Sequence, residues 1–187
     1  MKIYLIIFCL LCFPATIFAQ SKIDTAAIKK RLEIIDDRDQ AARRNSVPWK
    51  QMKINDSLNL IEVETLIQTY GWPGIDFVGE EGNITVWLVI QHAEIAVQEK
   101  YLPLLKKSVA DSQSRPCDLA LLEDRVLMRQ GKKQIYGSQI IANKTTGAWE
   151  FYPIEDEKNV NSRRASVGLG TIEEYAKNFG IVYKPAK

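Results

Sequence analysis

Apolar residues recur along this chain at helical spacing for most of its length, switch once to a strand-like period, and then return to the helical one. Ile28, Leu32, Ile35 and Ala42 fall on one side of an amphipathic helix over residues 21–45, with charges covering the remainder. Val47-Pro48-Trp49 ends that helix. Asn55 or Asp56 is placed to cap a second helix through Leu58, Ile61, Leu66 and Tyr70, which stops at Gly71. Trp72-Pro73-Gly74 is a turn by composition. The stretch 82–97 carries two apolar rows, Ile84, Trp87, Leu88 and Ile95 on one side and Val86, Ile90, Ala93 and Val97 on another. A helix that is apolar nearly all round belongs inside a fold, so this one is the expected buried centre, and it carries Gln91 and His92. Glu80 and Glu81, just ahead of it, suit the positive end of its dipole.

Beyond the central stretch, residues 99–108 form a further predicted helix, with Pro103 tolerated in a first turn or at a kink. A polar loop leads to Pro116, which opens another helix with Asp118 near its start, ending at Gly131. Within it, Asp124 sits among Ala120, Leu121, Leu127 and Met128 at helical spacing. An acid on an apolar surface is costly unless paired, which makes Asp124 the candidate partner of His92 or of an arginine. Residues 134–142 and 148–153 then turn β-branched and aromatic on either side of Asn143-Lys-Thr-Thr-Gly147, the pattern of a hairpin with a longer loop. Val160, Arg164 and Val167 predict a short helix ending at Gly168. Thr171-Ile-Glu-Glu174 is a capping box for a last helix that buries Ile172, Tyr175, Ala176 and Phe179. The expected fold is mainly α with one β-hairpin (α+β), a compact helical domain around its buried central helix.

Composition changes this picture chiefly at the N-terminus. Lys2, the apolar run 3–13, Pro14 and Ala-Thr-Ile-Phe-Ala19 have the layout of a secretory signal peptide cleaved after Ala19, with lipidation at Cys12 as the alternative. The run is short for a transmembrane helix of about 20 residues. The expected product is an exported, periplasmic or extracellular single domain over residues 20–187, with no stable membrane insertion after cleavage. Cys9 and Cys12 leave with the signal, so Cys117 is alone and forms no intramolecular disulfide. A helix-start position would lower the Cys117 pKa, and burial would leave the thiol inert. The formal net charge of +2, with both signs interspersed, argues against nucleic acid as a partner.

Several chemistries are excluded by counting. One histidine rules out metal sites that need two, and a single remaining cysteine rules out structural zinc. The chain has no Gly-x-Ser-x-Gly elbow, no phosphate loop and no dinucleotide fingerprint, so no metal and no cofactor are expected. What survives is acid–base work by His92, oriented by Asp124 and assisted by Tyr136 or Ser138. Gln40, Arg43, Gln91, Arg125, Ser138, Gln139 and Arg164 are the candidate ligand-binding residues, for a small polar or anionic molecule that is bound and hydrolysed. Asp39 and Arg43, four apart, form either a solvated ion pair or part of an inward-facing site. Two readings compete with catalysis. His92 can be a satisfied core histidine that fixes helix–hairpin packing. The chain can also be a non-enzymatic cell-envelope interaction module, using the N-terminal helix together with Trp149, Phe151 and Tyr152.

A set of short motifs occurs in order along nearly all of the chain beyond the signal. They are Asp39-Gln40 with Arg43, Gly71-Trp72-Pro73, Trp87-Leu-Val-Ile-Gln-His92, Leu122-Glu-Asp-Arg125, Gly131, Gln134-Ile-Tyr-Gly-Ser-Gln139, and Asn159-Val-Asn-Ser-Arg-Arg-Ala165 with Gly168-Leu169. This series resembles a bacterial family known as domain of unknown function 6624. Members more often carry Thr where this chain has Ser138. The resemblance implies no particular reaction, so the chemistry has to be argued from the residues.

Overall fold

A computed structural model describes residues 23–45 and 47–184; the expected signal peptide, with Cys9 and Cys12, lies outside them. Five long helices make the body: α1 (Thr25–Arg44), α2 (Trp49–Tyr70), α3 (Ile75–His92), α4 (Ile95–Ala110) and α5 (Pro116–Arg129). A two-stranded hairpin of β1 (Ile140–Ala142) and β2 (Trp149–Phe151) follows, then a 3-10 turn (Glu157–Asn159), α6 (Val160–Ser166) and α7 (Ile172–Lys177). The architecture is mainly α with one antiparallel hairpin, as expected.

α3 packs against α1, α2, α4 and α5, which makes it the centre of the bundle. Leu32 and Ile35 of α1, Val63 and Ile67 of α2, Val86, Val89 and Ile90 of α3, Tyr101 and Leu105 of α4, and Leu122 and Val126 of α5 form the main core. Ile154, Val160 and Ile172 form a smaller one under the hairpin, with Phe151 and Tyr183 packed against it.

The predicted central helix is the main correction. It does not run through to Val97 but ends at His92, and α4 starts at Ile95 after Ala93 and Glu94 adopt extended backbone. Neither glycine nor proline marks this break. The freed carbonyls find tertiary partners instead: Gln98 Nε2 donates to the Gln91 carbonyl at 2.6 Å, and Arg129 donates to the Ala93 carbonyl at 2.8 Å. His92 is therefore at a helix end, beside a two-residue extended break, and has no neighbours within its own helix on its C-terminal side.

Other departures have local causes. α2 begins at Trp49 with Pro48 as its N-cap, six residues or more before the Asn55 or Asp56 expected there. Its buried face is Asn59, Val63 and Ile67, whereas Leu58 and Ile61 are exposed. Pro103 lies in the interior of α4 rather than in its first turn. The capping box of α7 forms as expected, with Thr171 Oγ1 accepting from the Glu174 N–H. Ile172 and Ala176 are buried beneath it, but Phe179 is exposed.

The Gly71-Trp72-Pro73 motif has a structural explanation. Buried Asn83 donates to the Pro73 carbonyl at 2.7 Å and to Ser114 Oγ at 2.9 Å, and Trp72 Nε1 donates to the same hydroxyl at 3.1 Å. This network ties the turn before α3 to the loop before α5. Asn83→Ala leaves the Pro73 carbonyl unpaired, and the expected cost is about 1–3 kcal/mol, read as a lowered urea midpoint with an unchanged m-value.

Candidate functional site

Two constellations account for the residues that the sequence singles out, and they are distinct. The first is built on α1. Leu32, Ile35, Asp39 and Ala42 follow one another at three- and four-residue steps and are all buried, so Asp39 occupies a core-facing position. It is 1 % exposed. An acid there needs partners, and it has several. His92 Nδ1 lies 3.2 Å from Asp39 Oδ1, Gln40 Nε2 donates to Oδ2 at 2.7 Å, and Arg43 Nη1 lies 2.9 Å from Oδ1. Arg43 continues the chain of charges to Asp56 on α2 through its second Nη, at 3.0 Å. Gln40 and Arg43 thus both turn to buried Asp39, as partners of the acid.

His92 is thus paired with Asp39 rather than with Asp124. An ionised carboxylate only accepts, so the Asp39 contact selects the tautomer with hydrogen on Nδ1. The other ring nitrogen has no protein partner among the described residues. The ring, 18 % exposed at its side chain, lines a cavity of about 230 Å³ together with Asp39, Lys53, Asp56, Glu94 and Arg129. A larger apolar cleft of about 380 Å³ runs between α1 and α2, but its charged lining residues, Arg31 and Glu62, are already paired with each other.

The second constellation surrounds residues 134–139, which form an irregular loop and not the first half of a long strand. Only Gln134 pairs there, in an isolated parallel bridge to Ile154. Asp124, fully buried on α5, accepts the backbone N–H groups of Ile135 at 2.6 Å, Tyr136 at 3.0 Å and Ser138 at 3.0 Å. Arg164, 3 % exposed, takes the carbonyls: those of Tyr136 at 2.9 Å and Gly170 at 2.6 Å, with a longer contact to Gly137. Burial holds the Arg164 guanidinium below its usual range, against the opposing pull of Tyr175 and Asp124. Gln134 completes the grip by donating to the Gln139 carbonyl and accepting the Gln139 N–H. Gly137 has φ +66°, a conformation that favours glycine, and a Cβ there would also press on the Ile172 Cδ1 methyl at 2.6 Å.

These contacts correct the catalytic roles expected for Asp124 and Tyr136. Asp124 spends its oxygens on loop N–H groups and makes no contact with His92. Burial pushes the Tyr136 phenol up, and the carboxylates of Glu123 and Asp124 add to the shift. Ser138 is buried and accepts from Gln139 Nε2 at 2.9 Å, so its hydroxyl serves the loop as well. Arg164 does likewise.

Arg125 joins the two constellations. Its Nε donates to Gln139 Oε1 and its Nη1 to the Gln91 carbonyl, each at 3.3 Å. Burial lowers its pKa, and Arg129 and Arg43 nearby lower it further. Gln91 thus contributes its backbone carbonyl to this junction. Burial pushes the Cys117 thiol up, and neighbouring Asp118 adds to the shift, which makes it the inert cysteine rather than the activated one. Among the described residues, no three His, Cys, Asp or Glu side chains are grouped to hold a metal ion, and no helix is long and apolar enough to cross a membrane.

Asp39 is the residue of this constellation that the sequence reading did not name for the site, although it kept an inward-facing alternative for the Asp39–Arg43 pair open. The signal was present: the same rule that singles out Asp124, an acid at helical spacing among apolar residues, applies to Asp39 between Ile35 and Ala42.

Fold and site together define a small helical domain with a carboxylate–imidazole pair at the end of its central helix. Residues 19–184 match the model of a family of unknown function, DUF6624, and the chain belongs to that family. Curated proteins and solved structures gave no match.

Proposed function

We propose that this chain is an exported protein that binds a small polar ligand in the His92 cavity and hydrolyses it, with His92 as general base. One observation carries the reading: a buried carboxylate holds Nδ1 of the imidazole, leaving the other nitrogen unengaged on a ring that borders solvent-sized space. In the proposed step, Nε2 takes a proton from water, and the water oxygen bonds to the electrophilic carbon or phosphorus of the ligand. The bond to the leaving group breaks, and the imidazolium returns the proton to the departing atom. Asp39 stabilises the imidazolium while it lasts, and Arg43, shared with Asp56, keeps Asp39 in place.

The test uses p-nitrophenyl acetate and p-nitrophenyl phosphate with untagged protein. At least one should turn over faster than in free imidazole at equal concentration by about 10²-fold or more, the low end of positioned acid–base catalysis. His92→Gln should remove that excess with the melting temperature nearly kept, and Asp39→Asn should remove most of it. A rate no better than free imidazole on both compounds, or one that survives His92→Gln, refutes the reading.

A second reading, a cell-envelope interaction module, draws on Trp149, which is 56 % exposed on β2. Phe151 does not support it, because its ring packs against Tyr175 and Tyr183. A stable partner lost on Trp149→Ala and indifferent to His92→Gln would favour that module.

A further inference from the structure

The acids and the cations around His92 are not matched in the same way. Asp39 and Asp56 are both engaged, through Arg43, His92 and Gln40. Two cations that line the cavity lack such partners. Arg129 is exposed, uses Nη1 on the Ala93 carbonyl at 2.8 Å, and has no carboxylate partner among the described residues. Lys53 from α2 stands 5.3 Å from the Trp49 ring centroid and is likewise without a carboxylate there. One turn before Arg129, Arg125 reaches the same end of α3 with contacts to neutral acceptors alone. Glu94 is the remaining acid of the lining, exposed at the start of α4.

Helix ends account for part of this. Arginines near the last carbonyls of a helix satisfy orphan acceptors and oppose its dipole, and Arg125 and Arg129 do so for α3. That role occupies one of the five donors of Arg129, and the other four have no protein partner among the described residues in a side chain that lines the cavity. A fork of this shape matches a carboxylate or phosphate edge, with two parallel charge-assisted bonds. A volume of about 230 Å³ is below the usual range for drug-sized ligands, so the occupant is small.

We propose that the His92 cavity takes a small ligand by an oxyanion group, a carboxylate or a phosphate, which Arg129 holds with Lys53 assisting. The inference rests on this cavity being the functional site and names the chemical class of what enters it. An oxyanion anchored by Arg129 shares its confined space with the imidazole, so the anchor also sets which bond of the ligand lies beside the ring.

The chain has one histidine, so an untagged sample gives a single imidazole Cε1–H resonance by which the site can be watched. Inorganic phosphate and acetate are titrated separately, with ionic strength held constant by sodium chloride to remove general screening. At least one anion should shift the His92 resonance saturably. Arg129→Gln should weaken that affinity tenfold or more and Lys53→Gln by a smaller factor, while Lys144→Gln on the hairpin loop leaves it unchanged. No saturable shift with either anion overturns the proposal, as does equal affinity in Arg129→Gln protein whose melting temperature is unaltered. The outcomes also separate it from the hydrolytic reading. Anion binding through Arg129 with no His92-dependent turnover keeps this inference and removes catalysis. Turnover that depends on His92 and ignores both anions does the reverse.

Discussion

Asp124→Ala is expected to be the most damaging single substitution in the described chain, costing about 3 kcal/mol or more. Three backbone N–H groups of the 134–139 loop lose their acceptor at once. A buried donor left unsatisfied costs about 1–3 kcal/mol, and some relaxation toward water will reduce the sum. For a domain of this size, each 1 kcal/mol lowers the melting temperature by about 2–4 °C, so thermal unfolding should move down by about 6 °C or more. Asp124→Asn should fall between the two, since one amide oxygen remains but the NH2 group meets N–H donors head on. Unfolding of Asp124→Ala at the wild-type temperature would show that the loop holds itself and that the acid is free for another role.

Arg164→Met should have the second largest effect, about 2–4 kcal/mol, because the carbonyls of Tyr136 and Gly170 lose a charged donor inside the protein. Lysine should restore little of this, since a single ammonium cannot reproduce a fork that reaches carbonyls on two separate segments. Asp124 and Arg164 grip opposite polar groups of one loop, so the double variant Asp124→Ala/Arg164→Met should cost less than the sum of the two. Full additivity in denaturant unfolding would mean that the two residues stabilise independent regions.

These expectations also explain why the candidate site was only half legible beforehand. Asp124, Ser138 and Arg164 are buried polar residues, and the rule that such residues need partners applies to each. The rule says that a partner exists; it does not name the partner. A hydrogen-bonding carboxylate can satisfy an imidazole or three backbone N–H groups equally well, and only the fold of the 134–139 loop decided for the latter. Its backbone lacks strand pairing over most of its length, so its N–H and C=O groups had to be met by side chains. His92, Gln40 and Arg43 do come together. Their junction is Asp39, whose spacing matched the buried face of α1 but whose neighbour Arg43 also allowed a surface pair.

Periodicity and punctuation alone determined the mainly helical fold class, the central place of the stretch around Trp87 to His92, the helix opened by Pro116, and the capping box at Thr171. Each of these depends on residues a few positions apart, which the chain brings together wherever it folds as a helix or turn. Tertiary structure alone decided that the central helix stops at His92, that Asp39 and not Asp124 meets the imidazole, and that Arg125 and Arg129 crowd the same corner. Those outcomes depend on groups from α1, α3, α4 and α5, tens of residues apart. Which of several chemically adequate partners is reached is a matter of packing distance, and no local pattern encodes it.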